Sequence, residues 1–323
     1  MHAPDFWDRE DRLSRLAVAA LAPLGWLYSA SVAWKARNVV PFRAGVPVIC
    51  VGNLTVGGTG KTPVAIAIAR ALIARGRRPF ILSRGYGGRM HGPVMVMAEH
   101  TATDVGDEPL LLSAAAPVVV SRDRRQGAEL AVELGADVIV MDDGHQNFSL
   151  AKDLSLIVVD AEQKFGNRHI LPAGPLREFI GQGLQRADAV IVVGDGKLEL
   201  NGFSGPVFRA HMTHVDVPEL KGRRVVGFAG IGRPEKFFRS LRAFGADVVA
   251  TKRFADHHVY SLSEIARLKS TARTENAVLV TTEKDFVRMT DVEREGIAVL
   301  PVRAAIDNLE ALERLLDRLP APL

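Results

Sequence analysis

Cysteine is almost missing from this sequence: Cys50 is the one thiol in 323 residues. No internal disulfide can form, which fits a reducing compartment. Cys50 lies in the apolar run 46–51, where a thiol behaves as a small buried hydrophobe. Strong charge bias is missing as well. Lys and Arg number 41 against 37 Asp and Glu, a formal charge of +4, and no basic run is interleaved with aromatic residues. Nucleic acid is therefore not an expected partner. The mild basic excess suits a nucleotide, a phosphorylated substrate or an anionic membrane. Gly and Pro are too few for a disordered chain, and internal repeats and low-complexity tracts are absent. What is present is a 47% apolar composition, enough for a full core, over a length that suggests two domains.

From residue 46, short β-branched runs alternate with helical segments. Strands are predicted at 46–51, 79–83, 117–120, 137–141, 154–160 and 187–193, with a helix over 62–75. Such alternation predicts an α/β fold, a mainly parallel sheet with helices on both faces. Ligands then gather at the carboxyl ends of the strands. A Gly/Pro-containing break falls near 201–206. A second alternating series follows, with strands at 224–229, 246–251 and 277–281 and helices at 234–244 and 262–273.

The strongest chemical signal is Thr55-Val56-Gly57-Gly58-Thr59-Gly60-Lys61-Thr62, between the first strand and the first helix of this series. Glycines let backbone N–H groups wrap phosphate oxygens, and the helix amino terminus adds partial positive charge. Lys61 can reach the terminal phosphates of ATP, and the Thr62 hydroxyl can hold Mg²⁺. The strict phosphate-loop pattern begins with Gly, where this chain has Thr55. Pro63 suits the first helical turn, where its missing N–H costs nothing.

Other strand ends carry charge. Asp142-Asp143-Gly144 ends a strand, where a carboxylate commonly serves as a second Mg²⁺ holder; Asp160 is a weaker rival. Asp104-Val105-Gly106-Asp107-Glu108-Pro109 precedes a helical stretch. Such acids often only cap the helix, but a transferase also needs a base for the accepting hydroxyl, and Asp107 and Glu108 qualify. Arg84 and Arg89, among Gly85, Gly87 and Gly88, could grip an anion, as could the Arg122–Arg125 cluster. Leu171 to Glu178 reads as a rigid turn leading to the pair Arg177 and Glu178. In the second series, His257 and His258 stand beside Asp256.

The amino terminus differs from everything after it. Residues 16–34 carry no charge; Arg9, Arg12 and Arg15 precede them, and Lys35 and Arg37 follow. Trp7, Trp26 and Trp34, all the tryptophans, lie here with Tyr28, residues that favour a membrane–water interface. Pro23 and Gly25 weaken a spanning helix. A cleaved signal peptide would carry a triphosphate-binding loop away from ATP. Basic flanks at both ends give no crossing direction and fit a helix lying in the membrane surface. The expected organisation is a membrane-associated apolar helix over 1–40, a P-loop nucleotide-binding core over 41–205, and a smaller C-terminal α/β domain over 206–323 that closes over the active site.

Taken in order, Val51-Gly52-Asn53-Leu54-Thr55 and the loop, the segments 83–88, 104–109, 142–146, 171–178 and 254–257 resemble one family, the tetraacyldisaccharide 4′-kinases of lipid A biosynthesis. The resemblance spans nearly the whole chain. It implies transfer of the γ-phosphoryl group of MgATP to the 4′-hydroxyl of a lipid-linked disaccharide monophosphate, by a peripheral or monotopic protein at the cytoplasmic face of the bacterial inner membrane. It implies Asp107 as catalytic base, tuned by His257 from the second domain, with Lys61 at the phosphates and Asp142 and Asp143 in the metal region. Arg84, Tyr86, Glu108, Arg124, Arg177 and Glu178 would face substrate or nucleotide. The family commonly has an apolar residue and then Gln-His after Asp-Asp-Gly; here His145-Gln146-Asn147 follows, so no role passes to His145 or Asn147. His258 likewise receives none. The alternative is a P-loop ATPase acting as a partner-binding switch at a membrane surface, which would need neither the acidic loop nor the second domain.

Overall fold

The computed structural model of the chain describes residues 4–7, 9 and 11–320. The extreme ends of the expected first and last segments, 1–3 and 321–323, with residues 8 and 10, lie outside the described residues. The chain forms thirteen strands among the described residues: β1 (Val48–Gly52), β2 (Pro79–Ser83), β3 (Val94–Met95), β4 (Val118–Val120), β5 (Val138–Asp142), β6 (Leu154–Asp160), β7 (Ala189–Val193), β8 (Val207–His214), β9 (Arg224–Ala229), β10 (Asp247–Arg253), β11 (Val278–Thr281), β12 (Ile297–Val299) and β13 (Val302–Ile306).

Nine strands make one sheet in the order β13-β8-β7-β6-β1-β5-β2-β4-β3. It is parallel except at its edges, where β3 and β13 run antiparallel to their neighbours. Its central strands are buried on both faces, which is why they read as unbroken Val/Ile runs and not as alternations. Helix Lys61–Ala74 covers one face through Val64, Ala65, Ile68, Ala69 and Leu72. Helix Arg124–Glu133 covers the other through Ala128 and Ala131. The first strand, β1, lies where the order reverses: β5, β2 and β4 follow on one side, β6, β7 and β8 on the other. Ligand crevices open at such a point.

Four strands, β10-β9-β11-β12, make a second, wholly parallel sheet. Helix Pro234–Ala243 packs on one face through Phe237, Phe238 and Leu241, and helix Leu262–Thr274 on the other through Ile265, Leu268 and Ala272. This is the smaller α/β unit, but its limits differ from the 206–323 expected. The eighth strand pairs with β7, and β13 returns to pair with β8, both in the large sheet. Helix Leu309–Leu316 then adds Leu312, Leu315 and Leu316 to the large core. The small unit is thus an insertion between β8 and β13.

At the amino end, helix Arg12–Asn38 reverses the usual burial pattern. Ser14, Gly25, Ser29 and Val32 are its buried residues. Leu13, Leu16, Leu24, Trp26, Leu27, Tyr28 and Trp34 are exposed. This buried face seats against the large domain near Ile170: a Cβ on Gly25 would lie 3.0 Å from the Ile170 carbonyl oxygen. Among the described residues this is the one helix long and apolar enough to cross a membrane.

Candidate active site

The Gly-rich loop leaves the end of β1 and enters helix Lys61–Ala74 through Gly60, whose φ of 89° is the left-handed backbone that glycine permits. Thr55 is buried and bridges Leu176, and the Val56 N–H donates to the Pro175 carbonyl at 2.9 Å. Asn53 donates to the Thr59 hydroxyl at 3.2 Å. Gly57 and Gly58 are exposed, leaving their backbone open to a ligand. The rigid 171–178 turn is therefore the brace of the loop, and it delivers Arg177 to the same edge.

Asp142 ends β5, directly beside β1, and Asp143 follows it. They are adjacent but differently held. Asp143, at φ 51°, accepts a bidentate fork from Arg177 at 2.7 and 3.0 Å and lies 3.7 Å from Lys61 Nζ. Burial alone would raise its carboxyl, but Lys61 and Arg177 hold it down at about 2. Asp142 is 2% exposed, and its Oδ1 has no hydrogen-bond partner. Burial, then the charges of Glu108 and Asp143, push it up to about 7. A buried carboxylate oxygen without a donor, next to a phosphate loop, fits a divalent cation with oxygen ligands. Thr62, partly exposed at the helix start, completes that corner. Asp143, committed to two side chains, is the less available of the pair. Among the described residues no three His, Cys, Asp or Glu side chains converge as a ready-made cage, as expected where phosphates and water supply most ligands.

Arg124, 3% exposed at the start of its helix, donates to the Ser121 carbonyl, while its Nε is buried without a partner. Burial, and then Arg84, lower its guanidinium to about 10, with Asp142 and Asp143 acting in the opposite sense. Arg84 and Tyr86 are exposed. Glu178 departs from the expectation that it faces ligand: it is fully buried, bound to Arg186 at 2.6 Å and to Gln146 at 2.9 Å. It reaches the site only through Gln146, whose Oε1 lies 3.3 Å from Arg177. His145 is buried, contacts the Gly183 carbonyl at 3.1 Å, and burial holds it neutral at about 3. Asp160 faces the small domain, 3.2 Å from Lys236 and 3.6 Å from Arg233.

The acidic loop divides its labour. Asp104 closes a capping box with Thr101 and pairs with Arg89 at 2.7 Å, so it shapes the loop. Gly106 then turns the chain into helix Asp107–Ser113, which packs against helix Lys61–Ala74. Asp107, 4% exposed, meets His257 of the small domain: Nδ1 lies 3.0 Å from Oδ2. Tyr86 stands edge-on to the His257 ring at 5.8 Å. His258 turns the other way, stacked on Phe254 at 4.7 Å and bound to Glu264 at 3.2 Å. Two residues beyond the sequence reading join them: Lys284, 3.4 Å from Glu108, and Arg288, whose Nε donates to Asp107 Oδ2 at 2.8 Å. They follow the end of β11, so the strand-end rule that singled out the first domain's residues would also have reached them. Burial favours a neutral Asp107, but His257, Lys284 and Arg288 prevail and hold its carboxyl well below the usual range.

A phosphate loop, a donor-free buried aspartate and a carboxylate–imidazole pair assembled from two domains define a phosphotransferase pattern. The family model described as tetraacyldisaccharide-1-P 4′-kinase matches residues 17–320. The chain belongs to the tetraacyldisaccharide-1-phosphate 4′-kinase family. A tetraacyldisaccharide 4′-kinase of Paramagnetospirillum magneticum is 50% identical over 327 residues, 99% of each chain. One of Rhodospirillum rubrum is 48% identical, covering 99% of this chain and 98% of the other. A crystal structure of LpxK from Aquifex aeolicus in complex with ATP superposes with a TM-score of 0.78 at 29% identity, covering 93% of this chain and 98% of that one. As a 4′-kinase of this family the chain is an enzyme of lipid A biosynthesis, and the reading of it as a switch ATPase falls away.

Proposed function

We propose that the chain transfers the γ-phosphoryl group of ATP to the 4′-hydroxyl of a tetraacyldisaccharide 1-phosphate at the cytoplasmic face of the inner membrane, with Asp107 as base and His257 as its partner. The observation that carries the residue roles is the 3.0 Å contact between Asp107 Oδ2 and His257 Nδ1 across the two domains. The backbone of residues 55–60 and the Lys61 ammonium neutralise the phosphate oxygens as negative charge moves toward the leaving group. Thr62 and Asp142, with Asp143 behind them, would hold Mg²⁺, which when bound shares the charge of the β- and γ-phosphates. Asp107 takes the proton of the acceptor hydroxyl. Its low basicity suits a step in which the proton leaves late, after bonding to phosphorus has begun to acidify the hydroxyl. His257 orients the carboxylate and spreads its charge. Arg84, Tyr86, Arg124 and Arg177 would meet phosphate or sugar, and Glu178 backs Arg177 through Gln146. The reversed burial of helix Arg12–Asn38 supports residence at a lipid surface.

The test is a double-mutant cycle on kcat with the lipid acceptor. Asp107→Ala and His257→Ala should each be strongly impaired, and the double variant scarcely worse than the weaker single one, because a paired unit fails as a unit. Nucleotide affinity should survive in all three. Fully multiplicative losses would reject the pairing, and an active Asp107→Ala would move the base to Glu108 or Asp143.

A further inference from the structure

Asp107 is held by more than His257. Arg288 lies just past the short helix Glu283–Phe286 of the small domain, with a side chain 5% exposed. Its Nε and Nη2 both donate to Asp107 Oδ2, while Nη1 donates to the Gly230 carbonyl at 2.7 Å and to Asp285 at 3.0 Å. Asp285 is itself fully buried, accepting from the Gly230 N–H at 2.9 Å, from Tyr260 at 2.8 Å and from Thr282 at 2.7 Å. The guanidinium is therefore fixed to the floor of the small sheet and projects as a rigid fork into the other domain. Among the described residues, Asp107 Oδ1 accepts only the Glu108 N–H, at 2.9 Å. Each carboxylate oxygen has two lone pairs, so Oδ2 is saturated and Oδ1 is not.

Building on the reading of Asp107 as the base, we propose that Arg288 is a positioning residue for the transfer: it pins Oδ2 of Asp107 and leaves Oδ1 as the oxygen that receives the acceptor hydroxyl. It also makes a base whose placement depends on the small domain being seated, because the fork comes from that domain alone. The charged neighbours of Asp107 are Glu108 on its own helix, Lys284, Asp285 and Arg288 on the 283–288 segment, and Asp256 and His257 on the loop after β10. Tyr86 closes the far side of His257.

A brace that only holds the small domain together would lower activity equally at every pH. A charge acting on Asp107 would also set where the carboxylate takes up its proton. Neutralising Arg288 lets burial raise that carboxyl, so the acid limb of kcat against pH should move to higher pH. The experiment compares Arg288→Gln and Arg288→Lys with the parent, in full-length enzyme with ATP and the lipid acceptor, and runs Asp107→Asn in parallel. Arg288→Gln should lose about tenfold or more in kcat, keep KM for ATP within about twofold, and carry a raised acid limb. Arg288→Lys should restore the parent's acid limb and part of kcat. Parent-like kcat in Arg288→Gln, or a loss with an unmoved acid limb, overturns the inference. If Arg288→Gln proves unfolded by circular dichroism, Arg288→Lys decides: a reduced kcat with the parent's acid limb supports the role, and an unreduced kcat overturns it. An active Asp107→Asn would instead overturn the reading of the base.

Discussion

Asp142 and Asp143 are chemical twins one bond apart in sequence, yet one is saturated with cations and the other has a bare buried oxygen. Lys61 stands between these states, since it pairs with Asp143 at 3.7 Å and is also the residue that must face phosphate. Lys61→Ala should therefore cost on the order of 10²-fold or more in kcat/KM through lost electrostatic stabilisation. The Arg177–Asp143 fork should keep the loop folded, so circular dichroism should match the parent. Steady-state kinetics of the purified variant checks this, and near-parent turnover would reject the phosphate assignment. At this scale the sequence was a good guide to residues within one motif and a poor one to residues that meet across the fold. The resemblance chose His257, but nothing in the residues His257-His258 themselves told the imidazoles apart; packing of His258 into the Phe254–Tyr260 aromatic group does. Arg288 follows a strand end and so could have been singled out, but its partner lies 181 positions away, and no local pattern names that pairing.

Among the elements, helix Arg12–Asn38 is the least like a part of a water-soluble domain. Its few buried residues are mostly small, Ser14, Gly25 and Ser29 with Val32, while Trp26, Trp34 and most of its Leu residues are exposed. Buried apolar area is what holds an amphipathic helix in a lipid surface. Removing residues 1–36 should accordingly shift the protein from the membrane to the soluble fraction in sedimentation, with ATP binding retained. Continued sedimentation of the truncated protein would place the anchor elsewhere. Extraction of the full-length protein by high salt alone would show that the helix is not embedded. The buried strands were legible because a strand covered on both faces is written as a β-branched run. The eighth and thirteenth strands were not, because they are the outermost two of the sheet on that side, half exposed, and carry His, Thr and Arg among their apolar residues. That omission moved the expected domain boundary.

For the molecule as a whole, the small domain is moored to the large one at two separate charge clusters. One gathers His257, Lys284 and Arg288 around Asp107 and Glu108. The other sets Arg233, Lys236 and Arg239 against Asp160 and Glu162. Asp160 is 2% exposed, so stripping its cations would leave a buried charge unpaired. Arg233→Ala with Lys236→Ala should lower kcat with the lipid acceptor several-fold, leave ATP affinity unchanged, and speed proteolysis near residues 214–217, where the chain passes into the small domain. Unchanged turnover and digestion would mean that this second mooring is idle.

The insertion of the small domain between β8 and β13 also has a consequence for how the protein is made. The helix with the outward Trp and Leu residues leaves the ribosome ahead of the nucleotide domain. Leu312, Leu315 and Leu316 leave only after the whole insert, although they belong to the same core as Val64, Ile68 and Leu72 of the phosphate-loop helix. The nascent chain is thus able to settle on a membrane long before its nucleotide domain has the last piece of its interior. A gene fragment ending at residue 205, which reads as a complete nucleotide domain, should yield aggregated protein, because it leaves the edge of β7 unpaired and the core uncovered. Deleting only the insert, with residues 215–301 replaced by a short linker joining β8 to β13, should give a soluble fragment that binds ATP and transfers nothing. A soluble, monodisperse 1–205 fragment would show instead that the core closes without its final helix.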